Sequence, residues 1–159
     1  MKTIVIYCLD PRAADIPRSI AAYFGDEIYP GEALFDEAGN RTGHTSTLFG
    51  ISNAGGRAFS ALHSLATTAY LAQVQRVIVV HHSFCGAAGM HPDPLEELFH
   101  VNPVIGRDSR GMAHFEESIQ HDVAQLRNSP AVPSHVQIYG FFYEISSGKL
   151  TEVARNIPA

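Results

Sequence analysis

Basic residues are few. The chain has 11 Lys and Arg against 16 Asp and Glu, for a net charge of −5 with its 9 His taken as neutral. The cations are scattered, so there is no basic stripe to follow a phosphate backbone or an anionic bilayer, and neither nucleic acid nor membrane is an expected partner. Long apolar runs are also missing. The strongest, around residues 4–9 and 77–80, are a few residues each, against the roughly 20 needed to cross a bilayer. At the start, Met1-Lys2-Thr3-Ile4-Val5-Ile6-Tyr7-Cys8 reaches Asp10 and Arg12 before a signal-peptide core can form, and a cytoplasmic protein is expected. No Gly-x-Gly-x-x-Gly follows the first strand candidate, which disfavours flavin and nicotinamide cofactors. Cysteine is scarce, with two in 159 residues, at positions 8 and 85. That is too few for a disulfide framework and leaves two reduced thiols for packing or for a metal.

What the sequence does have is material for a core. Its 45% hydrophobic content is spread from Ile4 to Ile157, and 159 residues suit one domain, 1–159. Residues 3–8 are β-branched and continuously apolar, as in a strand buried on both faces of a mainly parallel sheet. Pro11 and Pro17 bracket a turn, then Ile16, Ile20, Tyr23 and Phe24 recur at helical spacing and Gly25 is a stop. Residues 27–50 are irregular, with turn signals at Pro30-Gly31, Gly39-Asn40 and Gly43, and read as a long loop with a small hairpin. Phe59, Leu62, Leu65, Ala66, Ala69 and Tyr70 predict a helix over 57–72. Residues 76–81 form a second buried-strand candidate. Three prolines make 90–111 a loop or short helical pieces, and Phe115, Ile119, Val123 and Leu126 predict a helix over 112–127. Residues 136–143, the turn Ser146-Ser147-Gly148 and residues 149–153 read as a strand, a tight turn and a returning edge strand. This order predicts an α/β fold: a mainly parallel sheet flanked by helices, with an antiparallel C-terminal edge strand.

In open α/β sheets the functional crevice lies at the carboxyl ends of the strands. The first strand ends at Cys8-Leu9-Asp10-Pro11-Arg12 and the second at His82-Ser83-Phe84-Cys85. A βαβ crossover makes such strands parallel neighbours, and two thiols and an imidazole then converge. That is a zinc-type ligand set whose three protein ligands leave a fourth position for water or substrate. Neither His-x-x-Cys nor Cys-x-Asp-x-Arg alone is specific; their joint place after two buried strands carries the reading. The bland alternatives are two thiols buried as small hydrophobes, a structural Asp10–Arg12 ion pair, and a plain turn at Asn53-Ala54-Gly55-Gly56. His81 neighbours His82, but strand alternation turns it to the other side, so it is taken as structural.

Cys8-x-Asp10-x-Arg12, Asn53-Ala54-Gly55-Gly56 and His82-x-x-Cys85-Gly86, in that order, resemble the β-class carbonic anhydrases and their relatives that hydrolyse carbonyl sulfide or carbon disulfide. The resemblance runs over residues 4–150 and includes Tyr139-Gly140-Phe141 and Gly148-Lys149-Leu150. It implies a β-carbonic-anhydrase-like fold with one Zn²⁺ per chain on Cys8, His82 and Cys85. It also implies a catalytic dyad, Asp10 and Arg12, in which Asp10 either accepts a hydrogen bond from the zinc-bound hydroxide or swings in as a fourth ligand in a closed state. Ser52, Asn53, Gly55, Gly56, Phe84 and Gly86 would line the substrate pocket, and the chain would be a homodimer or larger. The implied reaction is attack of zinc-bound hydroxide on CO₂ to give bicarbonate. The same attack on carbonyl sulfide or carbon disulfide, releasing H₂S, is the alternative, and a non-catalytic zinc protein is a further one. Two departures stand out: Phe84 where members usually carry a carboxylate, and a longer segment over 29–49. Both suit a less hydrated substrate such as carbonyl sulfide or carbon disulfide, although CO₂ ranks first.

Overall fold

The run at residues 3–8 becomes strand β1 (Thr3–Cys8), with five of its six residues buried. In the computed structural model, which describes residues 1–87 and 112–159, this strand lies inside a five-stranded sheet. The loop or helical pieces expected over 90–111 lie outside the described residues.

Helix α1 (Ile16–Phe24) buries Ile16, Ile20 and Ala21. It ends at Gly25, whose φ of +71° is open to glycine without steric cost and whose N–H donates to the Ala21 carbonyl. The expected small hairpin is β2 (Ala33–Phe35) against β3 (Arg41–His44), a separate antiparallel pair. Asp36 closes its turn by accepting from the Asn40 N–H at 2.8 Å.

The main sheet departs from the sequence reading at residues 48–53, which were expected in a loop and at its end. They form β4 (Leu48–Asn53), parallel to β1 from Thr3↔Leu48 to Cys8↔Asn53. Only Leu48 of this edge strand is buried, so its side chains carry neither a continuous apolar run nor a clean alternation. Backbone pairing to β1 places it.

After β4 come α2 (Ala58–Ala72) and β5 (Arg76–His82), the latter buried at all seven positions. Next in the described chain are α3 (Met112–Asn128), β6 (Gln137–Glu144) and β7 (Lys149–Asn156). The strand order is β4-β1-β5-β6-β7, parallel except for the final antiparallel β6–β7 pair. β7 runs three residues past the expected 153.

Alternation along β6 splits its aromatic side chains between the two faces of the sheet. On one face Tyr139 and Phe141 meet Phe24 and Tyr23 of α1, edge to face at 5.2 and 4.9 Å. On the other, Phe142 stacks on Phe115 of α3 at 5.6 Å. Gly140 lets α3 approach, because a Cβ there would collide with Ile119 and come within 2.9 Å of Val123. Helices thus cover both faces, which is why the middles of β1, β5 and β6 are almost continuously apolar. At the amino end of the sheet, Arg76 pairs with Asp26 and Glu27 at 3.0 Å each and lies 3.8 Å from the centre of the Phe24 ring. Among the described residues no helix is long and apolar enough to cross a membrane.

Candidate metal centre

β1 and β5 are adjacent and parallel, so their carboxyl ends bring Cys8 and His82 to the same edge of the sheet. The chain leaving β5 is tied to β6, with Ser83 N–H donating to the Tyr143 carbonyl at 3.0 Å and Ser83 Oγ accepting from Ile145 N–H at 2.9 Å. Phe84 then takes a left-handed φ of +58° and turns the chain so that Cys85 returns to Cys8. The two sulfurs are 3.8 Å apart and are not disulfide-bonded. With His82 they form a buried group whose ligating atoms all lie within 4.8 Å of one another.

Two observations test whether this group fits a metal. With tetrahedral bonds of about 2.3 Å, two zinc-bound sulfurs are held about 3.8 Å apart, which the observed spacing matches. His82 Nδ1 lies 2.8 Å from the Ser83 carbonyl. A carbonyl only accepts, so Nδ1 carries the hydrogen and Nε2 carries the lone pair. That Nε2 is buried and has no hydrogen-bond partner among the described residues, a costly state which a cation would relieve. The Cys8 thiol is pulled far below its usual pKa, first by the Cys85 sulfur and, against burial, also by the backbone N–H groups of Asp10 and Gly55. The thiolate is the form that binds metal. Donor types, spacing and ionisation all fit a zinc-type cation.

The turn supplying the Gly55 N–H is closed by Asn53. Its side chain accepts from Arg57 N–H at 2.8 Å and donates to the Arg57 carbonyl at 2.9 Å. Gly55 and Gly56 have φ of +78° and +65°. A Cβ on Gly56 would stand 2.7 Å from the Val80 carbonyl and 3.0 Å from Cys8 N, so the turn presses on the ends of β1 and β5. Ser52 is exposed on β4 opposite Tyr7. Gly86 is exposed, with no described residue within 4 Å of where a Cβ would be.

Asp10 and Arg12 are joined as a fork. Arg12 Nη2 donates to Asp10 Oδ2 at 2.6 Å and Nε to Oδ1 at 3.0 Å, and the Arg12 N–H adds a third bond to Oδ1 at 2.9 Å. Arg12 Nη2 also reaches the Phe84 carbonyl at 3.4 Å. Hydrogen bonding from Arg12, against slight burial, lowers the Asp10 pKa to about 2.

His81 faces away, as alternation predicts. Its Nδ1 is 2.8 Å from Ser118 Oγ and its Nε2 is 3.2 Å from Asp122 Oδ2. Asp122 is fully buried, accepts both Nε and Nη2 of Arg57 at 3.0 Å, and also takes the Ala58 N–H. Burial opposes its charge, but the bonds from His81 and Arg57 outweigh that and hold it at about 2. Burial pushes His81 below the usual histidine value. Sequence reasoning missed this network, because Arg57 and Asp122 are 65 residues apart and neither belongs to a motif.

The parallel sheet with helices on both faces and an antiparallel edge pair, which here carries a buried Cys-His-Cys group at its carboxyl edge, is shared with solved carbonic anhydrases. No family model matches the chain. Its homologues and structural neighbours are nevertheless β-carbonic anhydrases, and sequence and fold alike support that superfamily. The Bacillus subtilis protein YvdA, whose carbonic anhydrase designation is itself provisional, is 25% identical over 167 residues, 96% of this chain and 76% of that protein. A carbonic anhydrase from Glaciozyma antarctica is 29% identical with a TM-score of 0.63, covering 96% of this chain and 82% of that one. A carbon disulfide hydrolase in its apo form shares the fold at 21% identity and a TM-score of 0.60, covering 96% and 78%.

Proposed function

We propose that this chain is a zinc-dependent, carbonic anhydrase-like enzyme that hydrates CO₂ to bicarbonate. The observation that carries the proposal is the pair of buried sulfurs 3.8 Å apart beside a buried imidazole nitrogen with no partner among the described residues. Cys8, His82 and Cys85 would hold one Zn²⁺ per chain. Bound there, the ion would supply Lewis acidity, lowering the pKa of water so that attack on an electrophilic carbon proceeds near neutral pH.

The chain's own residues do the rest. Arg12 engages both oxygens of Asp10 and keeps the carboxylate from closing on the site, since a planar guanidinium makes two parallel bonds to it. Held at about 2, Asp10 is ionised throughout the neutral range, and a spare lone pair orients the attacking water by accepting its hydrogen. Gly55 and Asp10 steady the Cys8 sulfur through their N–H groups. Ser52, Asn53, Gly55, Gly56, Phe84 and Gly86 line the approach. Carbon gains a C–O bond, the C=O electrons move to oxygen, and one proton leaves to solvent.

A second reading, hydrolysis of carbonyl sulfide or carbon disulfide with release of H₂S, is favoured by one observation. Leu9 and Phe84, next in sequence to the two candidate thiol ligands, are 63% and 45% exposed, so exposed apolar residues adjoin the ligand positions in the chain. We assign the protein to the cytoplasm as one zinc domain, 1–159. We further propose that it is a homodimer or larger, because Leu34 and Phe35 of the hairpin and Phe49 of the edge strand are exposed. Assays of CO₂ hydration and of H₂S release on one preparation of known zinc content test the activity. CO₂ turnover supports the first reading, H₂S release alone the second, and neither gas turned over at one zinc per chain leaves a non-catalytic zinc protein. Light scattering at micromolar concentration tests assembly, and an active monomer refutes it.

A further inference from the structure

β5 and β6 pair in parallel register as far as His82↔Tyr143, and Ser83 N–H carries the ladder one step further by donating to the Tyr143 carbonyl at 3.0 Å. In a parallel ladder, a residue that donates to one carbonyl of its neighbour accepts, through its own carbonyl, from the N–H two residues further along that neighbour. The regular acceptor for Ile145 N–H is therefore the Ser83 carbonyl. The structure breaks this rule. Ile145 N–H donates to Ser83 Oγ at 2.9 Å instead, and the Ser83 carbonyl accepts from His82 Nδ1 at 2.8 Å.

A short hydroxyl side chain can stand in for a backbone acceptor. Ser83 is fully buried, so its carbonyl has to be paired within the protein rather than by bulk water. Because the hydroxyl takes the strand bond, the carbonyl is free to meet the imidazole. Without the hydroxyl, Ile145 N–H draws the carbonyl back toward β6, the direction of the regular ladder, and away from His82. The ring bond matters because it puts the hydrogen on Nδ1 and leaves the lone pair on Nε2, and a partner of this kind is what orients a metal-binding histidine.

We propose that Ser83 is a positioning residue for the metal centre: its hydroxyl replaces its own carbonyl in the β5–β6 ladder, which releases that carbonyl to hold His82 in the tautomer and orientation for binding a cation. This deepens the proposed function and rests on its assignment of His82 as a ligand. Ser83 itself touches neither metal nor substrate in this role.

The test compares wild type with Ser83→Ala, which removes the oxygen, and Ser83→Thr, which keeps it. Thr47→Val is the control, since it removes a hydroxyl that accepts Ile28 N–H at 2.9 Å at the opposite end of the sheet. Zinc affinity is read by competition with a chromophoric chelator. In metal-free protein labelled with ¹⁵N, exchange with solvent is read for Ile145 N–H and for the His82 ring N–H, the latter identified as the signal absent from His82→Gln. Ser83→Ala should melt only about 2–4 °C below wild type and bind zinc about tenfold more weakly. Its ring proton should exchange about tenfold faster, while Ile145 N–H stays protected because it takes over the carbonyl. Ser83→Thr should behave as wild type, and Thr47→Val should lower the melting temperature without changing zinc affinity or ring-proton exchange. Zinc affinity and ring-proton exchange unchanged in Ser83→Ala overturn the proposal, as does loss of protection at Ile145 with the ring proton unaffected. Equal losses in Ser83→Thr or in Thr47→Val overturn it too, since packing or general stability would then be the cause. If wild type takes up no zinc, the metal reading fails, and the two exchange rates in metal-free protein still decide whether Ser83 holds the ring.

Discussion

Replacing Asp122 with Ala removes a carboxylate that serves three elements at once. It is fully buried, accepts two hydrogen bonds from Arg57 and one from Ala58 N–H, and lies 3.2 Å from His81 Nε2. Arg57, whose side chain is 9% exposed, would lose both of its bonds to this carboxylate in the interior. Removing one partner of a buried ion pair costs roughly 3–5 kcal/mol. Each further bond forfeited by Ala58 and His81 is worth about 1 kcal/mol, though not additively. A loss of about 4 kcal/mol is therefore expected, a large part of the roughly 5–15 kcal/mol that holds a domain together. Asp122→Asn keeps shape and one acceptor oxygen and should cost about half as much. The double variant Arg57→Met/Asp122→Leu should recover most of the loss, because apolar replacements remove the buried charges altogether. Urea unfolding with linear extrapolation reads each value. The effect should also reach the metal site, since Arg57 closes the turn with Asn53 and that turn presents Gly55 N–H to Cys8. In Asp122→Asn, zinc should pass to a chelator faster at temperatures where the fold is intact. A cost below about 1 kcal/mol for Asp122→Ala at unchanged urea dependence would refute the reasoning.

The glycine contacts predict a contrast: Gly39→Ala, at φ +80° with open space around it, should cost about 1 kcal/mol from conformation alone. Gly56→Ala, at φ +65° with Val80 O and Cys8 N in its way, should cost several-fold more and loosen zinc, as read by melting and metal content. Cys85→Ala should lose zinc, since two remaining ligands hold it poorly, and full zinc in that variant would sink the ligand assignment. Arg12→Ala should keep its zinc yet lose turnover by orders of magnitude, because Asp10 is released to close on the metal; normal turnover would refute the gate. The pH dependence of stability has a definite sign at Asp26, whose carboxyl is held below its ordinary value chiefly by the hydrogen bond from Arg76. Its contribution is complete above the unfolded carboxylate pKa of about 3.9 and fades as pH falls through the lower folded value. Asp26→Asn should flatten the loss of urea resistance as the pH falls below about 4.

Much of this architecture was legible in the residues because it is encoded locally. The apolar, β-branched runs within residues 3–8 and 76–81 read as strands covered on both faces, and the three- and four-residue spacing of Phe115, Ile119, Val123 and Leu126 reads as one face of a helix. The candidate ligands were legible for the same reason: Cys8, His82 and Cys85 follow the ends of those two runs, and His81 was turned away by simple alternation. What tertiary structure alone decided depends on pairings that leave no local trace. β4 has one buried residue and no pattern, and only hydrogen bonding to β1 makes it a strand. The Arg57–Asp122–His81 network joins two helices and a strand across 65 residues, and nothing near any of the three in sequence marks it. The left-handed turn at Phe84 is the opposite of what a phenylalanine prefers, imposed because Cys85 must return to Cys8. Periodicity says which face of an element is buried; which neighbour it is buried against, and at what distance, is settled only when the whole chain packs.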